Sequence, residues 1–108
     1  MFGMQNISSA IKKVLVAADN AQDLIDDLYK RDPANGTFEQ AGILDGRQII
    51  RDFVDNNEWG PAIEHLLYMI HESEINFPEN DLEAIHLIAR HHGIRNVYDN
   101  PEMIETTS

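Results

Sequence analysis

A chain of 108 residues has the size of one domain with one core, and 43% hydrophobic and 25% charged residues are ordinary for a globular protein. This composition excludes collagen-like and disordered chains. Nineteen Asp and Glu against eight Lys and Arg give a net charge of −11, which argues against nucleic acid and membranes as partners and favours cationic protein surfaces.

Apolar residues at helical spacing fill the first part of the chain. One stripe covers residues 7–15 and a second covers residues 21–29. The two stripes predict either a pair of helices or one long helix, and we favour a break near residues 18–20. Asn6 or Ser8 could cap the first turn, because their side chains can accept from free backbone N–H groups.

A loop and a short helix follow. Residues 31–46 contain three turn dipeptides, Asp32-Pro33, Asn35-Gly36 and Asp45-Gly46, and form the longest predicted loop. Apolar residues at helical spacing over residues 49–54 then predict a third helix, which ends at Asn56-Asn57.

Two further helices complete the pattern. The strongest stripe begins at Trp59 and ends near Ser73. Pro78 opens the last helix, and Gly93 closes it as a left-handed cap, with Ile94 behind it. The sequence therefore predicts an all-α, single-domain bundle of about five helices over residues 1–108, with a loose tail from about residue 97. Its expected core includes Trp59, Leu66, Ile70, Leu82 and Ile85.

The histidines do not form a convincing metal motif. Glu83-x-x-His86 has the spacing found in carboxylate-bridged metal bundles, but such sites need two copies and two further Glu residues. His65 and His71 are six residues apart and are predicted to be solvated. We expect no metal and no cofactor.

Catalytic signals are weak as well. The serines lie where helix caps are expected, and the glycines occur singly, so no phosphate-binding loop is apparent. We predict that the chain is not an enzyme and has no catalytic residues. Because it contains no cysteine and no long apolar run, we expect a cytoplasmic location.

The acidic residues are unevenly distributed. No Lys or Arg occurs between Arg51 and Arg90, a span that contains nine Asp and Glu. In the second stripe, four aspartates share the face opposite the apolar residues: Asp19, Asp23, Asp26 and Asp27. Like charges at this spacing destabilise a helix slightly. The face is either simply solvated or meets a basic partner, where charge complementarity would speed association.

Residues 54–94 resemble the MafI-type immunity proteins of bacterial polymorphic-toxin and contact-dependent growth-inhibition systems. In that family an acidic residue, an aromatic residue and glycine precede an Ala-aliphatic-Glu-x-Leu helix. A Glu-x-x-Ile link then leads to a last helix that ends in Gly-Ile. The matching positions are Glu58, Trp59, Gly60, Ala62, Ile63, Glu64, Leu66, Ile70, Glu72, Ile75, Gly93 and Ile94. Pro61 and Pro78 depart from the pattern, and the first 50 residues carry no resemblance.

The resemblance implies a protein that binds and neutralises the C-terminal domain of a cognate toxin. Many such toxins are nucleases, which need cationic residues to bind phosphates. The expected partner is therefore a basic nuclease, with a ribonuclease favoured, whose active site the acidic chain covers. The alternative is an acidic regulatory adaptor or antitoxin that binds another protein. Candidate toxin-binding residues are Asp19, Asp23, Asp26, Asp27, Glu39, Asp55, Glu58, Glu72 and Glu74.

Overall fold

The computed structural model describes residues 2–94 and residue 98, with side chains described from residue 9 onward except for residue 37. It contains four α-helices: α1 (Phe2–Arg31), α2 (Gly46–Asp55), α3 (Trp59–Glu72) and α4 (Glu79–His91). A short 3₁₀-helix, Gly36–Glu39, lies between α1 and α2. No strand occurs among these residues, so the all-α prediction is confirmed. The described residues form four α-helices, where the sequence predicted about five.

The predicted break near residues 18–20 is wrong, because α1 continues without interruption from Phe2 to Arg31. Ala17, Ala18 and Ala21 are buried across the expected break, and alanine has the highest helix propensity of all residues. The side chain of Asp19 bonds to α2 instead of capping a new helix. Since the helix begins at Phe2, Asn6 and Ser8 lie within it.

The core is centred on α3, which contacts each of the other three helices. Leu66, Ile70 and Ile85 are buried there, as predicted. The expectation for Trp59 and Leu82 was only partly right, because both are half-buried and pack against the edge of the core. In the part of the chain that is described, no helix is long and apolar enough to cross a bilayer.

Gln22 of α1 fixes the start of α2. It is 2% exposed, and its Nε2 donates to the Leu44 carbonyl oxygen at 3.0 Å and to the Ile43 carbonyl oxygen at 3.4 Å. Its Oε1 accepts from the Arg47 backbone N–H at 2.9 Å. The first N–H groups of a helix have no partner within the helix. Asp45, which precedes α2, makes no capping side-chain hydrogen bond, so Gln22 satisfies one of these donors from a distance.

Two helices end in the same type of cap. At the end of α2, the Asn57 N–H donates to the Val54 carbonyl oxygen and the Glu58 N–H donates to the Phe53 carbonyl oxygen, with Asn57 at a φ of 60°. This pair of bonds around a left-handed residue is a Schellman motif. At the end of α4, Gly93 has a φ of 70° and the same pair of bonds forms, which confirms the predicted cap. The predicted loose tail lies, apart from Tyr98, outside the described residues.

Candidate protein-binding surface

Asp19, a predicted binding residue, joins α1 to α2. Its carboxylate accepts from Arg51 Nη2 at 3.1 Å and 3.3 Å, and Arg47 Nη1 lies 3.7 Å away. Two cations therefore face this one carboxylate, and its charge is not available to attract a basic partner. Its role in the structure is to hold the two helices together.

Three more of the predicted acids have partners within the molecule. Asp26 Oδ1 accepts from Gln22 at 3.0 Å, and Asp27 pairs with Arg31 at 2.9 Å along the same helix. Glu72 Oε2 accepts from the Tyr98 hydroxyl at 2.6 Å. The Asp27–Arg31 ion pair is exposed and contributes little to stability, so a partner protein could replace it at a small cost in free energy.

The other five predicted acids are exposed, and their carboxylates make no hydrogen bond or ion pair with a described residue: Asp23, Glu39, Asp55, Glu58 and Glu74. The structure does not bring all five together. Asp23 lies on the outer face of α1, Glu39 in the 3₁₀-helix and Glu74 just beyond α3. Asp55 and Glu58 are close in sequence, because Asp55 ends α2 and Glu58 directly precedes α3, at the corner between these helices.

This corner forms one wall of an open groove with a volume of about 540 Å³. Glu58, Trp59 and Pro61 contribute from the start of α3, and His92 and Ile94 contribute from the end of α4. The rings of Trp59 and His92 lie 5.0 Å apart. The two Schellman motifs place these residues, because each one turns the chain sharply at the end of its helix. We call this feature the Trp59 groove.

The Trp59 groove combines an aromatic surface with negative charge. A half-buried tryptophan offers a large apolar area and an electron-rich ring face, which binds apolar groups and cations. The exposed Glu58 carboxylate beside it favours a side chain that is both apolar and cationic, such as arginine. Tryptophan is also enriched among the residues that dominate binding energy at protein interfaces. The arrangement therefore suits binding of a basic protein surface.

A second cluster contains titratable groups but is arranged differently. The His71 ring stacks on the Tyr98 ring with 4.6 Å between the ring centroids and an interplanar angle of 3°. The centroid of the His86 ring lies 5.7 Å from that of the His71 ring. Burial lowers the pKa of His71, His86 lowers it further, and Glu72 opposes both effects. Burial and the hydrogen bond to Glu72 raise the pKa of Tyr98 to about 12.

The prediction that His65 and His71 are solvated is wrong. His71 is half-buried in the cluster just described, and its Nε2 is buried without a hydrogen-bond partner among the described residues. His65 Nε2 lies 2.9 Å from the Gly42 carbonyl oxygen, which ties α3 to the long loop. Within the described residues, no group of three or more His, Asp or Glu side chains is placed to hold a metal ion.

Reasoning from sequence missed part of the Trp59 groove. It assigned Trp59 to the core and gave His92 and Ile94 no role in binding. The Gly93 signal predicted the turn at the end of α4, but nothing in the local sequence indicates that this turn packs beside the start of α3. The groove forms only when the start of α3 and the end of α4 pack together, so local sequence signals do not predict it.

Comparison with protein-family models, curated proteins and solved structures found no match for this chain.

Proposed function

We propose that the chain is a MafI-type immunity protein that binds a cognate toxin, a basic nuclease with a ribonuclease favoured, and covers its active site. The resemblance of residues 54–94 to that family supports the proposal, as does the net charge of −11. A nuclease needs cationic residues at the site where phosphates bind. An acidic inhibitor can place carboxylates at the same positions.

The observation that carries the proposal is that Glu58 lines the Trp59 groove, with Asp55 three residues before it at the end of α2. Both carboxylates are exposed and make no bond within the described residues, so binding a cation breaks no existing interaction. The groove beside them is large enough to accept side chains of a partner. Every residue that lines it falls within the segment that carries the family resemblance.

The remaining acids act at longer range in this proposal. Asp23, Glu39 and Glu74 are exposed on other parts of the surface, where they add to the negative field. Such a field raises the rate at which an oppositely charged protein associates, even without direct contact. Fast capture matters for an immunity protein, because free toxin damages the cell until it is bound.

Co-expression tests the proposal directly. The toxin domain that the proposal predicts to be encoded beside this gene is produced in bacteria with and without the chain, and growth and nuclease activity in lysates are measured. We expect growth and loss of nuclease activity only when both proteins are present. A toxin that remains fully active when bound to the chain would refute neutralisation. Failure of the two purified proteins to bind would refute the immunity role.

A further inference from the structure

A second groove runs between α1 and α4 and shares His92 with the Trp59 groove. It consists of two adjoining pockets of about 590 Å³ and 370 Å³, which share Lys13 and Ala84. Along α1 it extends from Ser9 to Asn20, a distance of roughly 16 Å at the rise of an α-helix. The groove is therefore about three helical turns long.

Exposed apolar side chains mark this groove. Val16 and Leu87 are 58% and 56% exposed, the two highest values among the exposed large hydrophobic residues. Val16 lines one pocket and Leu87 lines the other. Ala84 lines both pockets and Ile88 lies in the same pocket as Leu87, so apolar side chains occur in both parts of the groove. Clusters of this kind are typical of sites that bind other molecules.

The charge at this groove is opposite to that of the whole chain. Lys12, Lys13 and Arg90 line it, and among the described residues that line it Asp81 is the only one with a carboxylate. Lys12 and Lys13 are exposed and form no ion pair with a described residue. In a chain with nineteen acidic and eight basic residues, this local excess of cations is distinctive.

We propose that the α1–α4 groove binds an amphipathic α-helix of a partner protein, with apolar residues that cover Val16 and Leu87 and carboxylates that face Lys12 and Lys13. An added helix would pack on α1 and α4 as a further member of the bundle, and its apolar stripe would fill the groove. Charge complementarity selects an acidic partner. The inference is independent of the proposed toxin, which is basic and would be repelled by these lysines.

Other occupants fit the charges less well. A second copy related by twofold symmetry would place the same lysines and apolar residues against each other, with like charges in contact. Anionic membranes and nucleic acids would meet the lysines favourably, but the net charge of −11 repels both. A short acidic helix brings fewer negative charges than a membrane or a nucleic acid, so the net charge repels it less.

The test uses two designed peptides of about 14 residues, long enough to span the groove. Both are fluorescently labelled and carry leucines at helical spacing. One has glutamates beside the leucines and the other has lysines at the same positions. Fluorescence anisotropy with the full chain measures affinity. We expect saturable binding of the glutamate peptide, with an affinity at least about tenfold higher than that of the lysine peptide.

Variants then locate the site. Val16→Asp and Leu87→Asp should each weaken binding of the glutamate peptide by at least about tenfold. Lys12→Glu/Lys13→Glu should reverse the preference between the two peptides. Leu44→Asp and Lys30→Glu are matched controls, because both residues are exposed but line neither pocket, and both should bind like the unmodified chain. Circular dichroism checks that every variant is folded.

Several results would overturn the proposal. These are failure of the glutamate peptide to bind, equal affinity for the two peptides, or binding that Val16→Asp and Leu87→Asp leave unchanged. Sedimentation of the unmodified chain as a dimer that Leu87→Asp dissociates would assign the groove to a second copy. Co-sedimentation with phosphatidylserine vesicles that the same variant abolishes would assign it to a membrane surface.

Discussion

The Gln22 side chain accepts a 2.9 Å hydrogen bond from the backbone N–H of Arg47, across 25 residues of sequence. Its amide nitrogen also donates to the carbonyl oxygen of Leu44. One buried side chain thus satisfies polar groups at the end of the long loop and at the start of α2. The same region of α2 supplies the arginines that bind Asp19, so the contact between α1 and α2 depends on polar bonds as well as on the core.

Replacing Gln22 should therefore destabilise the fold. Gln22→Leu leaves the Arg47 N–H without its acceptor in a partly buried position, which costs about 1–3 kcal/mol. Gln48→Leu is the control, because Gln48 is exposed and bonds only to Asp52 one turn away. Gln48→Leu should change the free energy of unfolding by no more than about 0.5 kcal/mol. Urea unfolding measures both values, and equal stability of the two variants would contradict the assigned role of Gln22.

The two Schellman motifs predict substitutions with opposite effects. Asn57→Gly should raise the free energy of unfolding by about 0.5–1 kcal/mol, because glycine adopts the left-handed conformation without a Cβ clash. Gly93→Ala should lower it by about 1–2 kcal/mol for the same reason. Thermal unfolding followed by circular dichroism tests both. A destabilised Asn57→Gly variant would show that the asparagine side chain matters more than backbone strain.

His71 should make stability depend on pH. Because burial lowers its pKa in the folded state, the unfolded chain binds a proton at higher pH than the folded chain does. The free energy of unfolding should therefore fall as the pH drops from about 6.5 towards the folded-state pKa. His71→Phe keeps a ring beside Tyr98 but cannot be protonated.

Urea titrations at about pH 7.5 and about pH 5.5, on either side of the ordinary histidine pKa, measure this effect. Relative to the original chain, the His71→Phe variant should gain stability on acidification. A constant difference between the two proteins across this range would mean that His71 takes up its proton equally in both states, and the stated effect of burial would be wrong.

Association with the toxin should slow as salt rises. Exposed charges are screened over about 10 Å at 0.1 M ionic strength and over about 3 Å at 1 M. The association rate constant should fall by at least about tenfold between these limits, while the dissociation rate constant changes less. Stopped-flow fluorescence of Trp59, the only tryptophan, can follow the reaction. An association rate that is independent of salt would argue against electrostatic capture.

The sequence predicted the helical class, the long loop and the left-handed cap at Gly93, because each depends on local signals. It did not predict that α1 is continuous. Asp19 and Asn20 are residues that often end or begin a helix, and the sequence alone does not show that Asp19 pairs with two arginines of α2 instead. Those arginines are 28 and 32 residues away in sequence. The Trp59 groove was missed for a similar reason, because its two walls come from the start of α3 and the end of α4.

The proposed binding site is tested most directly by a titration with matched charge reversals. Asp55→Lys/Glu58→Lys changes the corner beside the Trp59 groove, and Glu79→Lys/Glu83→Lys changes exposed acids on α4 outside it. Each reversal adds two charges, so both double variants have a net charge of −7 instead of −11. Calorimetric titration with the purified toxin domain gives the dissociation constants.

If the toxin binds at the corner, Asp55→Lys/Glu58→Lys should weaken binding by at least about a hundredfold, because a cation placed against a cationic cleft costs several kcal/mol. The α4 variant should lose less than about tenfold, the part that long-range attraction contributes. Equal losses for the two variants, or high affinity retained by Asp55→Lys/Glu58→Lys, would contradict the assignment of this surface to the toxin.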